Sequence, residues 1–379
     1  MFSLHLDTAV SWRGGQNQVL LTVRGLCGRG DRAALVAHPD GELRRRAEGL
    51  EVVPLAPRSE VDLRAAWRLS RVIRTLAPDI VHAHDPHALA MAALARSLSR
   101  GLSVPLVAAR RVDFHLSRNA FSRWKYQQLD MMIAASEAIR RMMIGDGFPA
   151  DRIVTVHEGI EVARVADAPP VDLHKTLWLP AGAPIVGHVG ALVAHKGQRH
   201  LIEAAPLVLR QVPDARFVIV GEGELRESLE RQIHHLGIDT HVFLTGFRPD
   251  VPGVLKGFDL FVMCSTTEGL GTSVLDAMAS GLAVVGTNAG GIPESVADGE
   301  TGLIVSTHDH RALAAAIVRL LQDSALRARM GAAGRARAGQ RFSVERMVAE
   351  TADVYRQLLS GRVAPRAPSP PRPADSPGL

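Results

Sequence analysis

The sequence contains little cysteine and few aromatic residues. Cys27 and Cys264 are its two cysteines among 379 residues, and both stand in apolar surroundings. This usage disfavours a disulfide-stabilised secreted domain and predicts two reduced packing residues. Aromatic residues make up 4% of the chain, and we find no basic segment interleaved with aromatics. A nucleic-acid-binding protein is therefore not expected.

The sequence also lacks long apolar runs. No stretch reaches the roughly 18 uncharged apolar residues that a membrane-spanning helix needs. The first residues show neither a basic segment nor a long apolar core, so a signal peptide is not expected. Together with the reduced cysteines, these absences predict a cytoplasmic protein.

Charge is distributed unevenly along the chain. Residues 1–165 hold 23 Lys or Arg against 17 Asp or Glu, whereas residues 166–379 hold 21 against 22. One interpretation is a set of solvated helix faces. The other is a basic N-terminal half that contacts an anionic acceptor or the inner face of a membrane as a peripheral protein.

The order of apolar segments predicts an α/β protein with two domains. Short apolar runs alternate with helical patterns, which is typical of parallel sheets covered by helices, and a length of 379 residues exceeds one ordinary core. We predict a first domain at 1–165, a linker at 166–184, a second domain at 185–342, a helix at 343–360 that crosses back onto the first domain, and a disordered proline-rich tail at 361–379.

One segment combines a strand, a glycine-rich turn and a helix. The apolar run at 258–264 predicts a buried strand, and a helical pattern begins near Ser273. The backbone N–H groups of such a turn and the positive end of the helix dipole suit a diphosphate. Glu268 and Asp276 frame the turn, which suggests that sugar or ribose hydroxyls are bound beside the phosphates.

This spacing resembles the E-x7-E signature of glycosyltransferase family 4, with Asp276 where the family usually has a second Glu. Further segments resemble family motifs in the same order, at 11–18, 78–84, 187–197, 220–226 and 287–294. The resemblance implies the GT-B fold, in which two Rossmann-like doubly wound domains face a central cleft.

The resemblance also implies a reaction. We expect a retaining glycosyltransferase that moves a sugar from a UDP- or GDP-type nucleotide sugar to a glycan or lipid-linked acceptor in cell-envelope polysaccharide or lipopolysaccharide synthesis. No cofactor and no metal are expected, because the sequence contains no D-x-D motif.

The resemblance assigns roles to individual residues. Lys196 is expected to stabilise charge on the diphosphate, and Glu268 to hold the sugar hydroxyls and stabilise positive charge on the ring. The expected donor-binding residues are Gly15, Gly246, Phe247, Gly269, Leu270, Gly271, Thr272, Asp276 and Glu294. Of these, Asp276 is assigned to the ribose, and Glu294 to either a loop anchor or a sugar contact.

Two positions depart from the family pattern. An Arg that usually contributes to the diphosphate site is replaced by Ala191, and Arg199 is a possible substitute. A His common after the fifth strand has no clean match, and the candidates there are Arg111, Asp113 and His115.

Two other functions remain open. The loss of the Arg at Ala191 is compatible with a catalytically impaired protein that binds sugar nucleotides. The spacing of His82, His84 and His87 approaches the motif of a metal-dependent hydrolase that binds two zinc ions.

Overall fold

A computed structural model describes residues 1–99, 103–117 and 119–361. It contains two parallel sheets, each with helices on both faces. Most of the strands are buried and apolar, as expected where helices cover both faces of a parallel sheet. The α/β prediction with two Rossmann-like domains is confirmed. Except for Gly361, the predicted proline-rich tail lies outside the described residues.

Within the described ranges, the first sheet has seven parallel strands in the order β3-β2-β1-β4-β5-β6-β7. They are β1 Phe2–Asp7, β2 Arg32–Ala37, β3 Glu51–Pro54, β4 Ile80–Ala83, β5 Leu106–Arg110, β6 Met131–Ala134 and β7 Ile153–Thr155. The strand order reverses between β1 and β4, and ligands of such sheets bind beyond the carboxyl ends of the strands at this point.

The second sheet has six parallel strands in the part of the chain that the structure describes, in the order β10-β9-β8-β11-β12-β13. They are β8 Ile185–Val189, β9 Arg216–Val220, β10 Val242–Gly246, β11 Leu260–Met263, β12 Val284–Thr287 and β13 Gly302–Val305. The order reverses between β8 and β11, which pair through Val186 and Leu260. The loops that follow these two strands therefore lie side by side.

Helices connect and cover the strands. Those before β8 are α1 Gly14–Gly28, α2 Glu42–Arg46, α3 Leu63–Leu76, α4 Pro86–Leu98, α5 Ala120–Gln127, α6 Glu137–Gly145, α7 Val162–Asp167 and α8 Leu173–Thr176. Those after β8 are α9 Gln198–Leu209, α10 Arg226–His235, α11 Val251–Leu255, α12 Thr272–Ala279, α13 Ile292–Ser295, α14 His310–Gln322, α15 Ser324–Arg341 and α16 Val344–Leu359. Among residues 1–99, 103–117 and 119–361, no helix has the length and hydropathy needed to cross a bilayer.

The last helix, α16, packs against α1 of the first domain. A β-carbon on Gly25 would lie 2.4 Å from Val348 Cγ2, so the glycine permits a close approach of the two helices. Tyr355 is fully buried in this contact, and its hydroxyl oxygen lies 2.5 Å from Nδ1 of His82 on β4. The contact ties the C-terminal end of the described chain to the first sheet.

We predict that Tyr355→Ala lowers the free energy of unfolding by about 3–5 kcal/mol, because it leaves a cavity where an aromatic ring was buried. Urea denaturation followed by circular dichroism measures the change. Leu359→Ala on the same helix is the control, because this side chain is 45% exposed. A loss in Tyr355→Ala no larger than the loss in Leu359→Ala would contradict a stabilising role for the buried ring of Tyr355.

Candidate active site

The carboxyl ends of both sheets meet at a narrow cleft between the domains. A β-carbon on Gly269 would lie 2.0 Å from the carbonyl oxygen of Arg111. A β-carbon on Gly14 would lie 3.4 Å from Oγ1 of Thr272. The absence of a side chain at Gly269 and at Gly14 allows the glycine-rich turn of the second domain to lie against the backbone of the first.

Lys196 and Glu268 form an ion pair in the second domain. Lys196 Nζ lies 2.5 Å from Glu268 Oε2, and the Ser265 hydroxyl donates to the same oxygen at 3.0 Å. The turn that carries Lys196 ends at Gly197, which has a φ of +66° and where a β-carbon would lie 2.1 Å from the carbonyl oxygen of Cys264. The pairing of β8 with β11 brings the two charged residues together.

The N-terminus of α12 lies beside this pair. Gly271 precedes the helix with a φ of +85°, and no side chain caps it. Within the described ranges, the amides of Leu270, Gly271 and Thr272 donate to no acceptor. Unsatisfied N–H groups and the helix dipole together favour an anion such as a phosphate group.

Asp276 follows one turn into α12 and is partly buried. Among the residues that the structure describes, none donates a hydrogen bond to its carboxylate. Burial raises its pKa to about 7, and Glu161 adds to this effect while Arg164 opposes it. The carboxylate is therefore available to accept a hydrogen bond from a ligand hydroxyl.

The loop after β5 contributes Asp113 to the cleft. Asp113 Oδ2 accepts a hydrogen bond of 2.8 Å from the backbone N–H of Glu268. The contact links the first domain directly to the residue that begins the glycine-rich turn. His115 does not join them: its ring is 77% exposed and lies 2.8 Å from Asp146.

Arg111 and Glu158 form a buried ion pair under the cleft. Arg111 Nε lies 3.2 Å from Glu158 Oε1, and its Nη2 lies 3.1 Å from Nδ1 of His84. Burial raises the pKa of Glu158 to about 7, with Arg111 and Lys196 opposing the shift and Glu268 increasing it. Glu158 belongs to no sequence motif and was not among the predicted site residues; its position shortly after the apolar run that forms β7 was the available signal.

Glu294 bridges the domains through its carboxylate. It accepts hydrogen bonds from the backbone N–H groups of Glu137 at 2.8 Å and Ala138 at 2.7 Å, at the start of α6, and lies 2.9 Å from His157 Nε2. Burial favours the protonated acid, but these hydrogen bonds hold the pKa of Glu294 below its ordinary value. Both carboxylate oxygens of Glu294 thus anchor its loop to the first domain. A contact between Glu294 and the sugar stays a prediction.

The remaining predicted donor residues lie around the cleft. Gly246 ends β10 with a φ of +79°, and the Phe247 side chain after it is 65% exposed. A β-carbon on Gly15 would lie 4.0 Å from Cδ of Arg111. Phe247 is thus free to cover a nucleobase, and the backbone at Gly15 faces the cleft.

Arg199 faces a different cavity from the Lys196–Glu268 pair. Its Nε donates to His200 Nε2 at 3.2 Å, and it lines a cavity whose walls do not include Lys196 or Glu268. The backbone carbonyl of Ala191 accepts a hydrogen bond of 2.8 Å from Gln198. The prediction that Arg199 replaces the missing arginine at the diphosphate is therefore not supported by any contact between Arg199 and the Lys196–Glu268 pair in the described residues.

The proposed metal-ligand set of His82, His84 and His87 is not assembled. His87 is exposed at the start of α4, whereas His82 and His84 point into the first domain. There they meet His5, and one ligand atom from each of these three lies within 4.8 Å of the others. Burial lowers the pKa of His82 and His84, but both also adjoin the guanidinium of Arg111, which disfavours a cation. The ligand set predicted for a metal-dependent hydrolase, which includes His87, is therefore not formed.

Comparisons with known proteins agree with this geometry. Residues 12–164 match the family model described as Glycosyltransferase Family 4, and residues 172–337 match the one described as Glycosyl transferases group 1. The fold superposes on Anabaena HepE in complex with UDP-glucose with a TM-score of 0.80 and 25% identity, covering 94% of this chain and 100% of that one.

Two curated relatives are similar over shorter stretches. The chain is 39% identical over 224 residues to a GDP-mannose-dependent α-(1-6)-phosphatidylinositol monomannoside mannosyltransferase of Mycolicibacterium smegmatis, over 56% of this chain and 58% of that protein. It is 34% identical over 183 residues to the lipopolysaccharide core biosynthesis glycosyltransferase LpsE of Rhizobium meliloti, over 48% of this chain and 52% of that protein. The chain belongs to glycosyltransferase family 4 and has the GT-B fold.

We predict that the affinity for UDP or GDP rises between pH 6 and pH 8 and that Asp276→Asn reduces this rise. The pKa of Asp276 is raised to about 7, so its carboxylate ionises in this range, and an ionised acceptor forms the stronger hydrogen bond with a hydroxyl.

Calorimetric titration of wild-type protein and Asp276→Asn at pH 6, 7 and 8 measures the effect. Both proteins are titrated with the same ligand, so ionisation of the diphosphate changes both affinities equally and does not affect the difference between them. The expected loss in Asp276→Asn at pH 8 is about tenfold. Parallel pH profiles for the two proteins would contradict a ribose contact at Asp276.

Proposed function

We propose that this protein is a retaining glycosyltransferase that transfers a sugar from a nucleoside diphosphate sugar to a hydroxyl of a glycan or lipid-linked acceptor. The observation that carries this proposal is the position of the Lys196–Glu268 pair beside the bare N-terminus of α12. A cation, free amides and a carboxylate converge on one spot, as the donor requires.

The arrangement suits the charges that develop during transfer. As the anomeric bond stretches, negative charge grows on the leaving diphosphate, where the ammonium of Lys196 and the amides of Leu270 to Thr272 stabilise it. Positive charge grows on the sugar ring, where the carboxylate of Glu268 stabilises it. Both interactions strengthen in the transition state, which is the condition for catalysis. The proposal requires no metal ion.

Relatives support a UDP- or GDP-type donor without choosing between them. HepE of Anabaena is known in complex with UDP-glucose, whereas the mannosyltransferase of M. smegmatis is named for GDP-mannose. The names of the curated relatives include a phosphatidylinositol mannoside and a lipopolysaccharide core. We therefore propose an acceptor from cell-envelope polysaccharide or lipopolysaccharide synthesis.

The surface of α3 supports peripheral contact with an anionic membrane. Val61, Leu63 and Trp67 are 58%, 53% and 54% exposed on and just before this helix. Five arginines are exposed beside them, at Arg58, Arg64, Arg68, Arg71 and Arg74.

The nearby acids, Asp62 and Glu60, offset only part of the charge of these five arginines. Asp62 caps α3 by accepting hydrogen bonds from Arg64 N and Ala65 N, and Glu60 pairs with Lys125 at 2.8 Å. None of the ion pairs among the described residues involves the five arginines, and exposed apolar and aromatic side chains among such arginines are typical of helices that lie on anionic lipid.

We predict that Lys196→Met and Glu268→Gln each lower sugar transfer by about 10²–10³, the usual effect of removing a group aimed at transition-state charge. Release of UDP or GDP from a panel of nucleotide sugars, with acceptor glycolipids added, measures the rate. Lys175→Met, which removes an exposed lysine, is the control. Rates within a few-fold of wild type in both variants would refute the assignment, and nucleotide binding without turnover in the wild type would favour an impaired binding protein.

We predict that replacing Arg64, Arg68 and Arg71 with Glu weakens binding to vesicles of equal parts phosphatidylcholine and phosphatidylglycerol by at least roughly a hundredfold, since each basic residue contributes about 1 kcal/mol near such a surface. Cosedimentation measures the bound fraction. The control reverses three exposed arginines of the second domain, Arg210, Arg231 and Arg329. Equal losses in the two triple variants would show that α3 is not the membrane surface.

A further inference from the structure

A large cavity lies behind the loop that carries Lys196. Its volume is about 780 Å³, and it opens between α9 and α10. The first domain contributes Phe114 to its rim, and the second contributes residues of the turn before α9 and of the start of α9, together with Thr266 and Thr267. We call it the α9–α10 cavity. Its walls contain the neighbours of both catalytic residues: His195 precedes Lys196, and Thr267 precedes Glu268.

The cavity holds a guanidinium that no acid neutralises. Arg199 is exposed, and none of the ion pairs among the described residues involves it; its Nε donates to His200. The acid in the wall, Glu203, is already engaged at 3.0 Å by His200 and lies 3.9 Å from His310. The terminal nitrogens of Arg199 are therefore available to an anionic group, for which a guanidinium offers two parallel donors.

The rest of the wall suits a sugar ring. Phe114 is 50% exposed and meets the His195 ring edge-on, with 5.7 Å between the ring centroids. It offers an apolar face, as do Leu225 just before α10 and Leu229 on this helix. An aromatic face beside polar groups allows a ligand to bury its apolar ring surface while its hydroxyls remain hydrogen-bonded.

Two oxygens in the wall lack hydrogen-bond partners. Gln198 is 1% exposed, and its Oε1 is buried without a partner among the described residues; the same holds for Oγ1 of Thr267. A buried polar atom without a hydrogen-bond partner destabilises the protein. A ligand hydroxyl that reached them after a small side-chain rotation would remove this destabilisation.

We propose that the α9–α10 cavity binds an acidic sugar residue of the acceptor, a pyranose that carries a carboxylate or a phosphate group. Arg199 binds the acidic group, Phe114 contacts the ring, and Gln198 and Thr267 accept or donate hydrogen bonds with its hydroxyls. The proposal rests on the proposed function, because it assigns this sugar to the acceptor. The cavity is separate from the donor site, since neither Lys196 nor Glu268 lines it.

Calorimetric titration with three small probes tests this site. Methyl glucuronide and glucose 6-phosphate represent the two acidic groups, and methyl glucoside is the neutral counterpart. We expect at least one acidic probe to bind more tightly than the neutral probe by about tenfold, the effect of one charged hydrogen-bonded contact. The tighter of the two acidic probes identifies the group. Equal affinity of all three probes, or binding of none, would overturn the proposal.

Variants and competition locate the probe. Arg199→Gln should remove the preference for the acidic probe, and Phe114→Ala should weaken all probes that bind. Arg210→Gln, at the other end of α9, is the matched control and should change neither. Loss of affinity in the control alone, or an unchanged preference in Arg199→Gln, would contradict the assignment.

Titration of the acidic probe in the presence of saturating UDP or GDP distinguishes failure of this proposal from failure of the proposed function. The affinity of the acidic probe should stay within about twofold, because the two ligands occupy different sites. Displacement by the nucleotide would place the probe in the donor site and overturn the inference. A protein that binds the acidic probe but neither nucleotide nor nucleotide sugar would instead contradict the proposed function and leave the cavity as a sugar site.

Discussion

The pairing of β8 with β11 is the constraint on which the site depends. Because these strands are neighbours at the reversal of strand order, the loop after β8 and the loop after β11 are adjacent. Lys196 and Glu268 are 72 residues apart in sequence, yet their side chains meet at 2.5 Å. The backbone of Gly197 passes so close to Cys264 that only glycine fits, which fixes the lysine over the glycine-rich turn.

Contacts across the cleft depend on the same turn. Asp113 accepts a hydrogen bond from the amide of Glu268, and Gly269 lies against the carbonyl of Arg111. Glu294 binds the start of α6 a short distance away. The first domain therefore touches the residues that surround the catalytic pair, so a change in domain spacing would alter the surroundings of Glu268 directly.

The sequence could predict what depends on local pattern. Apolar runs and glycine-rich turns indicate the strands and their ends, so Glu268 and the start of α12 were predictable from local pattern, whereas the role of Lys196 was implied by the resemblance to glycosyltransferase family 4. The Arg111–Glu158 pair was not, because its partners are joined by tertiary packing alone. The meeting of His5 with His82 and His84 likewise depends on the pairing of β1 with β4, whereas sequence spacing suggested His87. Helices α2 and α8, with five and four residues, are too short to show a period.

A crystal structure of the protein with UDP or GDP tests the central claim most directly, by showing where the diphosphate binds. We predict that its oxygens lie within hydrogen-bond distance of the amides of Leu270, Gly271 and Thr272 and of Lys196 Nζ, with the ribose hydroxyls at Asp276. A diphosphate bound elsewhere in the cleft, with Lys196 still held by Glu268 and the N-terminus of α12 without an anion, would contradict the account.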